Sequence, residues 1–530
     1  MSLLQRLPAK LLFPSSLLLA GVFNLLMVFF PWAGFETNDD ALMMHISAGS
    51  LSGEGSPYLV YSHIYLGNML VWLYSQFPGI NFYPIYLYTA HWLSLSALFY
   101  FCAHFHGRMI LLFCLFFLLP VEMLMLCNLQ FTSASIMVAF AGLMIVLLAL
   151  RKKSVPLLLF AAVLFIISLL IRWESFILVS ILGFFPLAFE LYRNRWKTFL
   201  LFLSLFILAA FGLRQIHESA YAFGVGETVM NPETEQQMRF IMDFPQRVSE
   251  TDLEQAGWSI NDYKLCRQWF WADSEFYHWE NFKKLSNTIV FDLSPQGKLK
   301  SLLHFIYSCC GFMAAFFLVF YLFRNASSKR QMAVWIVPLL VLLAGLFLLE
   351  RFVPRVVIPA LTCILMAIVA EAGPIKGRYP NIFFGLSSAL ILFQIYLSAD
   401  QNLSSRADFE KSMAVLNKYP DHLIINKDSW VNLEGCPLWE DPRRYSKGNL
   451  FWIDVLAGYP IYNDMLKKRE IGNLMKAVWN KPDVMVMADQ VDDIIIYAAE
   501  HYNEEIGQTV VEHDVNRGVH LFHLWKKNNW

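Results

Sequence analysis

Long apolar stretches, separated by short polar segments, dominate the pattern of hydrophobic and polar positions along this chain. They include the runs Leu11–Phe30, Met109–Cys127, Phe131–Leu150, Pro156–Ile171, Phe199–Leu213, Met332–Leu349 and Val356–Ala370. Several of these runs approach the roughly 20 residues with which a helix crosses a hydrocarbon core of about 30 Å. Because the apolar residues are continuous rather than alternating, the pattern predicts membrane-spanning helices and not the strands of a membrane barrel.

The lysines and arginines between the runs predict how the helices are oriented. Positive residues favour the cytoplasmic side of short loops. They recur here in alternate loops, at Arg6/Lys10, Arg108, Arg151–Lys153, Arg193–Lys197, Arg324–Arg330 and Lys376/Arg378. This alternation predicts about eleven spans in residues 1–398, with the N-terminus inside. In a twelve-span alternative Tyr65–Phe77 would cross the membrane, but its length suits an interfacial helix better, within residues 63–80.

Three stretches are predicted to lie outside the membrane. Residues 31–62 form a first outer loop, and residues 217–298 form a large one that is acidic and aromatic. Residues 399–530 predict a small water-soluble α/β domain, since HLIINKD, DVMVMADQ and GVHLFHLWKK are typical of strands and VDDIIIYAAEHYNEEI has helical spacing. The predicted fold class is an α-helical polytopic membrane protein with an extracytoplasmic C-terminal α/β domain.

The composition agrees with a membrane protein and argues against several functions. Of the 530 residues, 57% are hydrophobic and 16% are charged, against about 25% charged residues in soluble domains. The net charge of −1 gives no indication of nucleic-acid binding, and no Walker A loop or Rossmann fingerprint points to a nucleotide. Of the eight cysteines only Cys266 and Cys436 lie in polar segments, where an oxidising compartment would allow them to pair.

Asp39 and Asp40 form an acidic pair in the first outer loop, just after the first apolar run. One interpretation is structural: Asn38 or Asp39 caps the helix DDALMMHISAGSL, whose dipole favours early acids. The other interpretation is functional. A carboxylate at the membrane interface can take a proton from an acceptor hydroxyl, or hold a divalent metal such as Mg or Mn beside a phosphate. The pattern alone leaves both interpretations open.

Arginines at the same predicted membrane face are candidates for holding a phosphate. Arg172 lies with Glu174 where two spans meet, and Arg351 and Arg355 lie in another outer turn. Outer-face arginines run against the positive-inside bias, and the planar guanidinium suits a bidentate grip on phosphate. The structural alternative is a snorkelling arginine that pairs with an interfacial glutamate.

Single polar residues in apolar surroundings are further candidates. Glu122 lies near the outer end of its span, where an ionisable group either serves function or pairs with a neighbouring helix. His63 and Asn68 are polar members of the predicted interfacial helix and are candidates for sugar or acceptor contacts. Tryptophans of the large outer loop suit either stacking on sugars or anchoring at the interface: Trp269, Trp271 and Trp279.

Two stretches, TNDDALMMHISAGSLSGEGSPYLVYSHIYLGNMLVWLY and RFVPRVVIPAL, resemble the GT-C superfamily of membrane glycosyltransferases, which includes protein O-mannosyltransferases and aminoarabinose transferases. The layout of the whole chain is similar to that superfamily too. The resemblance implies a GT-C-like fold in a bacterial inner membrane. It also implies transfer of a sugar from a polyprenyl-phosphate donor to a lipid, glycan or protein acceptor outside the cytoplasm. The chain has no WWDYG-type motif, so transfer of an oligosaccharide to asparagine is not expected.

The resemblance also implies roles for the candidate residues. Asp40 would be the general base, with Asp39 assisting it or binding a metal, and the family's late-span arginine corresponds to Arg351 or Arg355. Arg172 would hold the donor phosphate with them. A requirement for Mg or Mn stays open, because some members work without a metal. The alternatives outside the family are a transporter or flippase of lipid-linked glycans and a non-catalytic membrane scaffold.

Overall fold

Eight helices of the computed structural model are long and apolar enough to cross a membrane, counted over the described residues. The structure describes residues 8–527 except 52, 106–107, 195, 226–240, 243–245, 289, 292–295, 297–298, 300–301, 304–305, 307–309, 326–328, 349–352, 374–378, 428–430, 446–447, 453–459 and 517. By the length and composition of its helices, the chain is a mostly helical, polytopic membrane protein. The predicted eleven spans also include Phe82–Cys102, Val155–Ile171 and Cys310–Asn325, which are not among the eight, so that count stays a prediction.

The helices follow one another with short connections through most of the chain. In order they are α1 (Ala9–Val28), α2 (Asn38–Ala48), α3 (Ile64–Gln76), α4 (Phe82–Cys102), α5 (Arg108–Phe113), α6 (Leu119–Cys127), α7 (Phe131–Lys152), α8 (Val155–Ile171), α9 (Trp173–Asn194), α10 (Lys197–Val225), α11 (Glu250–Ala256), α12 (Ile260–Arg267), α13 (Trp279–Thr288), α14 (Cys310–Asn325), α15 (Lys329–Leu348), α16 (Pro354–Ala372), α17 (Tyr379–Leu416), α18 (Pro460–Lys468), α19 (Leu474–Asn480) and α20 (Asp492–Tyr502). A π-helical turn, Cys114–Leu118, joins α5 to α6 just before Pro120, which lacks the N–H of a regular helical bond.

Helix α7 lies at the centre of the membrane part. Its residues Phe131–Leu150 are all buried, and it packs against α4, α8, α9 and α16. A helix that is apolar on every side has no polar face to turn towards water, so burial among other helices is expected. The position of α7 makes its two ends the places where several neighbouring helices meet.

The two ends of α7 are defined by contacts with the same neighbours. At the C-terminal end, Nη2 of Arg151 lies 2.5 Å from Oε1 of Glu190 on α9 and 2.5 Å from Oε1 of Glu371 on α16. At the N-terminal end, the Ser133 hydroxyl donates to the carbonyl of Arg355, the first turn of α16. Helices α7, α9 and α16 therefore run parallel, and the segments that connect them return along the bundle.

A short parallel pair of strands closes the N-terminal end of α7. Strand β1 (Gly34–Phe35) pairs with β2 (Asn128–Leu129), and the Glu36 N–H donates to the Leu129 carbonyl at 3.1 Å. The pairing ties the segment after α1 to the segment between α6 and α7. It brings the predicted first outer loop against the start of α7.

The C-terminal part contains a five-stranded sheet in the order β6-β5-β7-β9-β8. Strands β5 (Leu423–Asn426), β6 (Leu450–Trp452) and β7 (Val484–Ala488) are parallel, and β9 (Val519–Lys526) runs antiparallel to β7 and to β8 (Ile506–Asn516). Strands are present at all three predicted stretches. A further two-stranded pair joins β3 (Gln246–Arg247) to β4 (Val290–Phe291).

Helix α12 and the residues that follow it in the predicted large outer loop pack on this sheet domain. Asp273 is buried and its carboxylate accepts hydrogen bonds from Asn473 and from the hydroxyls of Tyr497 and Tyr502. The Met475 N–H also donates to the carbonyl of Ala272 at 3.1 Å. Two stretches that the sequence treats as separate are thus joined into one unit.

Candidate functional site

Asp40 is buried at the N-terminus of α7 and holds three donors. Its Oδ1 accepts from the Phe131 N–H at 2.9 Å and from the Tyr83 hydroxyl at 3.1 Å, while Oδ2 accepts from the Thr37 hydroxyl at 3.3 Å. Burial, and then the neighbouring Asp39, raise the pKa of Asp40 well above its usual range. In this structure Asp40 links α2, α4 and α7, a structural role beside the catalytic one that the resemblance implies.

Arg172 also lies at the N-terminus of α7, but on another side. Its Nη1 donates to the Thr132 hydroxyl at 2.5 Å, and its guanidinium stands 5.0 Å from the Phe131 ring centre and 5.5 Å from that of Tyr61. Its Nε lies 3.6 Å from Oε2 of Glu174, which is exposed. Arg172 is thus held by aromatic and polar contacts of the protein, as the structural interpretation expects.

A cavity of about 300 Å³ opens beside these residues, at the same end of α7. Its wall combines the first outer loop, the ends of α6, α7 and α16, and the middle of α17. Three charged side chains line it: Glu36, Arg355 and Glu434. The remaining wall is apolar and amide-rich, with residues such as Phe393, Gln394 and Asn402. Neither Asp40 nor Arg172 is among the residues that line this cavity.

Arg355 is the predicted phosphate-holding residue that the cavity contains. It lies in the first turn of α16 and is half-buried. No hydrogen bond or ion pair joins its guanidinium to another of the described residues. A half-buried guanidinium without such a partner is well suited to receive an anion from outside the protein. The other predicted late-span arginine, Arg351, lies outside the described residues.

Glu36 lines the same cavity as Arg355 and is not among the residues that the sequence predicts for the site. It follows β1 directly, so the β1–β2 pairing fixes its position. Burial raises the pKa of Glu36 from 4.5 to about 7, against the opposing effect of the Arg355 charge. A carboxyl that titrates near neutral pH can both accept and donate a proton. The signal was present in the sequence, since Glu36 lies within FETNDD beside the acidic pair.

Glu434 reaches the cavity from the C-terminal part of the chain. It lies in a short 3-10 turn, Leu433–Gly435, that packs on α17. Gly435 allows the close approach, because a Cβ there would stand 2.1 Å from the Ser405 carbonyl oxygen. Burial, and then the charge of Asp39, raise the pKa of Glu434 to about 7. Asp39 therefore acts on the site through its field, from a partly exposed position.

The remaining predicted contact residues lie elsewhere. His63 is buried as the N-cap of α3, where its Nδ1 accepts from the Tyr65 N–H and its Nε2 lies 2.8 Å from the Leu213 carbonyl. Burial lowers the pKa of His63. Asn68 lies on the exposed face of α3, together with Tyr65 and Trp72. His63 and Asn68 therefore do not line this cavity and would not contact a sugar bound in it.

Glu122 takes the second of its two predicted roles, pairing with a neighbouring helix. Its Oε1 lies 2.9 Å from Nδ1 of His91 on α4, and both side chains are fully buried. The cavity wall includes Leu124 and Met125 of the same helix, but not Glu122. Glu122 thus joins α4 to α6 and does not reach the cavity.

The tryptophans and cysteines of the polar segments have structural surroundings. Trp271 is buried, and its indole N–H donates to the Cys266 carbonyl. The ring centres of Trp269 and Trp271 are 5.1 Å apart. The side chain of Trp279 lies outside the described residues. Cys266 and Cys436 are separate, buried thiols rather than the partners of a disulfide. Stacking of Trp271 on a sugar is excluded by its burial.

The acidic pair does not offer a metal ion two open carboxylates. Both oxygens of Asp40 accept hydrogen bonds from the protein, and the side chain has no exposed surface. The described residues contain one group of three metal-ligand types, Asp262, Glu500 and His501, in the contact between α12 and α20. Asp39 and Asp40 therefore do not fit a site for Mg or Mn.

Comparisons with known proteins add no relative to this geometry. No protein-family model, no curated protein and no solved structure matches the chain.

Proposed function

We propose that the protein is a membrane glycosyltransferase that moves a sugar from a polyprenyl-phosphate donor to an acceptor at the cavity of Glu36, Arg355 and Glu434. The observation that carries the proposal is the Arg355 guanidinium, which has no hydrogen-bond or ion-pair partner among the described residues and lines one cavity with two carboxyls whose pKa values are about 7. The cavity lies where apolar helices end, so a lipid-linked phosphate can reach it from the bilayer. The GT-C-like layout and a bacterial inner membrane are part of this proposal.

Arg355 would bind the phosphate of the donor, which is also the leaving group. As the bond between the anomeric carbon and the phosphate oxygen breaks, negative charge grows on the phosphate. A fixed guanidinium stabilises that charge more strongly in a half-buried cavity than in water. Asn402 lies on the same wall; its Nδ2 already donates to the carbonyls of Trp32 and Cys127, so it would offer a sugar hydroxyl its side-chain oxygen as an acceptor.

One of the two carboxyls would take the proton of the acceptor. A general base works best when its pKa lies near the working pH, and both Glu36 and Glu434 meet that condition. Asp40, the base implied by the resemblance, accepts three hydrogen bonds from the protein and has no exposed surface in this structure. The proposal therefore uses a carboxyl that faces the cavity, and Asp40 serves as the matched comparison.

The test is sugar transfer in membranes that contain this chain, with polyprenyl-phosphate sugars labelled in the sugar. The variants are Arg355→Ala, Glu36→Gln, Glu434→Gln and Asp40→Asn, compared at equal expression. We expect labelled product with the wild type and with Asp40→Asn, and its loss with Arg355→Ala. Wild-type levels of product from Arg355→Ala would refute the phosphate site. A wild type that binds no polyprenyl phosphate would refute the transferase.

A further inference from the structure

A second cavity of about 220 Å³ lies beside the first. It is formed by the segment that follows α1, by α17 and by the chain from Gly435 to Glu440. Asn402 and Glu434 line both cavities, so they form the wall between them. A group on this wall can touch molecules in both spaces, which is the position required of a residue that acts between two substrates.

The lining of the second cavity combines exposed apolar, aromatic and charged residues. Phe29, 77% exposed, and Leu403, 48% exposed, are apolar residues on its lining, and Phe29 directly follows the candidate span Leu11–Val28. Exposed apolar residues next to a membrane span are expected to contact lipid. The lining also contains Trp32 and Trp439, together with Arg406 and Glu440. Nη2 of Arg406 lies 3.7 Å from Oε1 of Glu440.

This combination fits one class of occupant. Exposed apolar residues beside a membrane span accept a lipid tail, whereas partly exposed indole rings offer flat surfaces on which a sugar ring packs. Arg406 and Glu440 add hydrogen-bonding groups for hydroxyls. The lining thus suits a lipid-anchored carbohydrate better than an unanchored soluble molecule.

The electrostatics separate the two carboxyls of the site. The charge of Arg355 acts on Glu36, whereas the charge that acts on Glu434 is that of Asp39. Glu36 lines the first cavity alone, whereas Glu434 lines both cavities. In a direct displacement the attacking hydroxyl approaches the anomeric carbon from the side opposite the leaving phosphate. A hydroxyl that enters from the second cavity meets Glu434, which lies on the shared wall.

We infer that the second cavity receives the acceptor, a lipid-anchored carbohydrate, and that Glu434 on the shared wall accepts the proton of its attacking hydroxyl. This inference rests on the proposed transferase function. The hydroxyl oxygen forms a bond to the anomeric carbon while the bond from that carbon to the phosphate oxygen breaks. The electron pair of the broken bond leaves with the polyprenyl phosphate, and the hydroxyl proton passes to the Glu434 carboxylate. The charge and atoms balance without an oxidant or a further reactant.

The experiment separates binding of the donor from transfer to the acceptor. Purified protein in detergent receives a polyprenyl-phosphate sugar labelled in the sugar, together with a total lipid extract of bacterial envelopes as the acceptor probe. Three quantities are measured: label on lipid, label released as free sugar by water, and binding of labelled polyprenyl phosphate. The variants are Glu434→Gln and Leu403→Trp. The matched controls are Glu54→Gln and Leu392→Trp, which carry the same changes at an exposed glutamate and at an exposed leucine of α17 outside both cavities.

The expected results differ between the two variants. Glu434→Gln lowers transfer to lipid by about 10²- to 10⁴-fold, the usual contribution of a general base, and leaves polyprenyl-phosphate binding unchanged. Leu403→Trp fills the second cavity, so transfer to lipid falls while release of free sugar and donor binding persist. The controls behave as the wild type does. Retained donor binding shows that each variant is folded.

Distinct outcomes overturn distinct parts of the inference. Wild-type transfer by Glu434→Gln removes Glu434 as the base. Equal transfer by Leu403→Trp and Leu392→Trp removes the second cavity as the acceptor site. If envelope protein is added and takes the label in place of lipid, the lipid-anchored class is wrong. If the wild type binds no polyprenyl phosphate, the transferase function itself fails, and the inference fails with it.

Discussion

The two ends of helix α7 carry similar charged residues in opposite arrangements. At the C-terminal end, Arg151 lies 2.5 Å from both Glu190 and Glu371, and only about 10 Å³ of space remains beside them. At the N-terminal end, Arg355 and the carboxyls of Glu36 and Glu434 line about 300 Å³ of space. An arginine and two glutamates therefore form a closed contact at one end and line an open cavity at the other.

The two arrangements indicate which charged side chains are available to a ligand. Half-buried charges cost free energy unless partners compensate for lost hydration. Arg151 has that compensation from its two glutamates, so its contribution is to join α7 to α9 and α16. Arg355 has no such pair among the described residues, so its cost is recovered when an anion binds. Partner and free space, rather than residue type, separate structural from functional candidates.

The largest effect on stability is expected at the closed end. Arg151→Leu leaves Glu190 and Glu371 close together and without their cation, which should destabilise the protein by about 3–5 kcal/mol. Thermal unfolding in detergent measures the change. Adding Glu190→Gln and Glu371→Gln should restore most of the loss. If Arg151→Leu instead abolishes polyprenyl-phosphate binding in protein that remains folded, the structural role of Arg151 is wrong.

At the open end the expected effect is on binding and transfer. Arg355→Ala should lower sugar transfer by about 10²- to 10³-fold, as loss of one charge-stabilising donor does in other enzymes, with little change in thermal unfolding. Arg355→Lys should recover a part, because an ammonium keeps the charge but not the bidentate geometry. Arg193→Ala, an exposed arginine, is the control. A large loss of stability in Arg355→Ala would show that its charge is compensated after all.

The sequence predicts the features of this site that are local, and it misses those that depend on distant contacts. The apolar runs, the acidic first loop and Arg355 follow from composition and position. The burial of Asp40 does not follow from them, because Asp40 accepts a hydrogen bond from the N–H of Phe131, which is 91 residues away in the sequence. Glu36 lies in the same loop, but its position near the charge of Arg355 depends on the pairing of β1 with β2, which the local sequence does not indicate.

Glu434 shows a second limit of the sequence. It lies within residues 399–530, which the sequence predicts to be a separate α/β domain. Its access to the cavity depends on the packing of Gly435 against Ser405 of α17, which no local pattern encodes. The extracytoplasmic side of this part stays a prediction. Residues that enter a site from another part of the chain are the ones that sequence reasoning misses.

Asp40 lies at the open end of α7, but its carboxylate, like the Arg151 guanidinium, is bound by partners within the protein. It therefore tests whether such partners mark a structural residue. Asp40→Ala should destabilise the protein by about 1–3 kcal/mol, since the Phe131 N–H and the Tyr83 hydroxyl lose their acceptor. Asp40→Asn keeps an acceptor oxygen and should cost less and retain sugar transfer. Thermal unfolding and transfer are measured on both variants. Loss of transfer in well-folded Asp40→Asn would restore Asp40 as the base.

The smallest expected effect is the pH dependence of stability that Glu36 confers. Its pKa is 4.5 in the unfolded chain and about 7 in the folded protein, so the folded protein binds the extra proton between these values. Stability should therefore fall as the pH rises from 4.5 to 7, because the ionised carboxylate is the disfavoured form. Glu36→Gln removes this loss and should be more stable than the wild type at pH 8, but not at pH 4.

The expected gain at pH 8 is about 1 kcal/mol, because water in the open cavity screens part of the burial cost. Thermal unfolding of wild type, Glu36→Gln and the exposed control Glu54→Gln at both pH values measures it. A gain of equal size at pH 4 would mean that the carboxyl is not the cause. Since the Arg355 charge lowers the pKa of Glu36, the same measurement in Arg355→Ala should give a larger gain. The same change at Arg151 should leave the gain as it is, because that charge is used at the other end of α7.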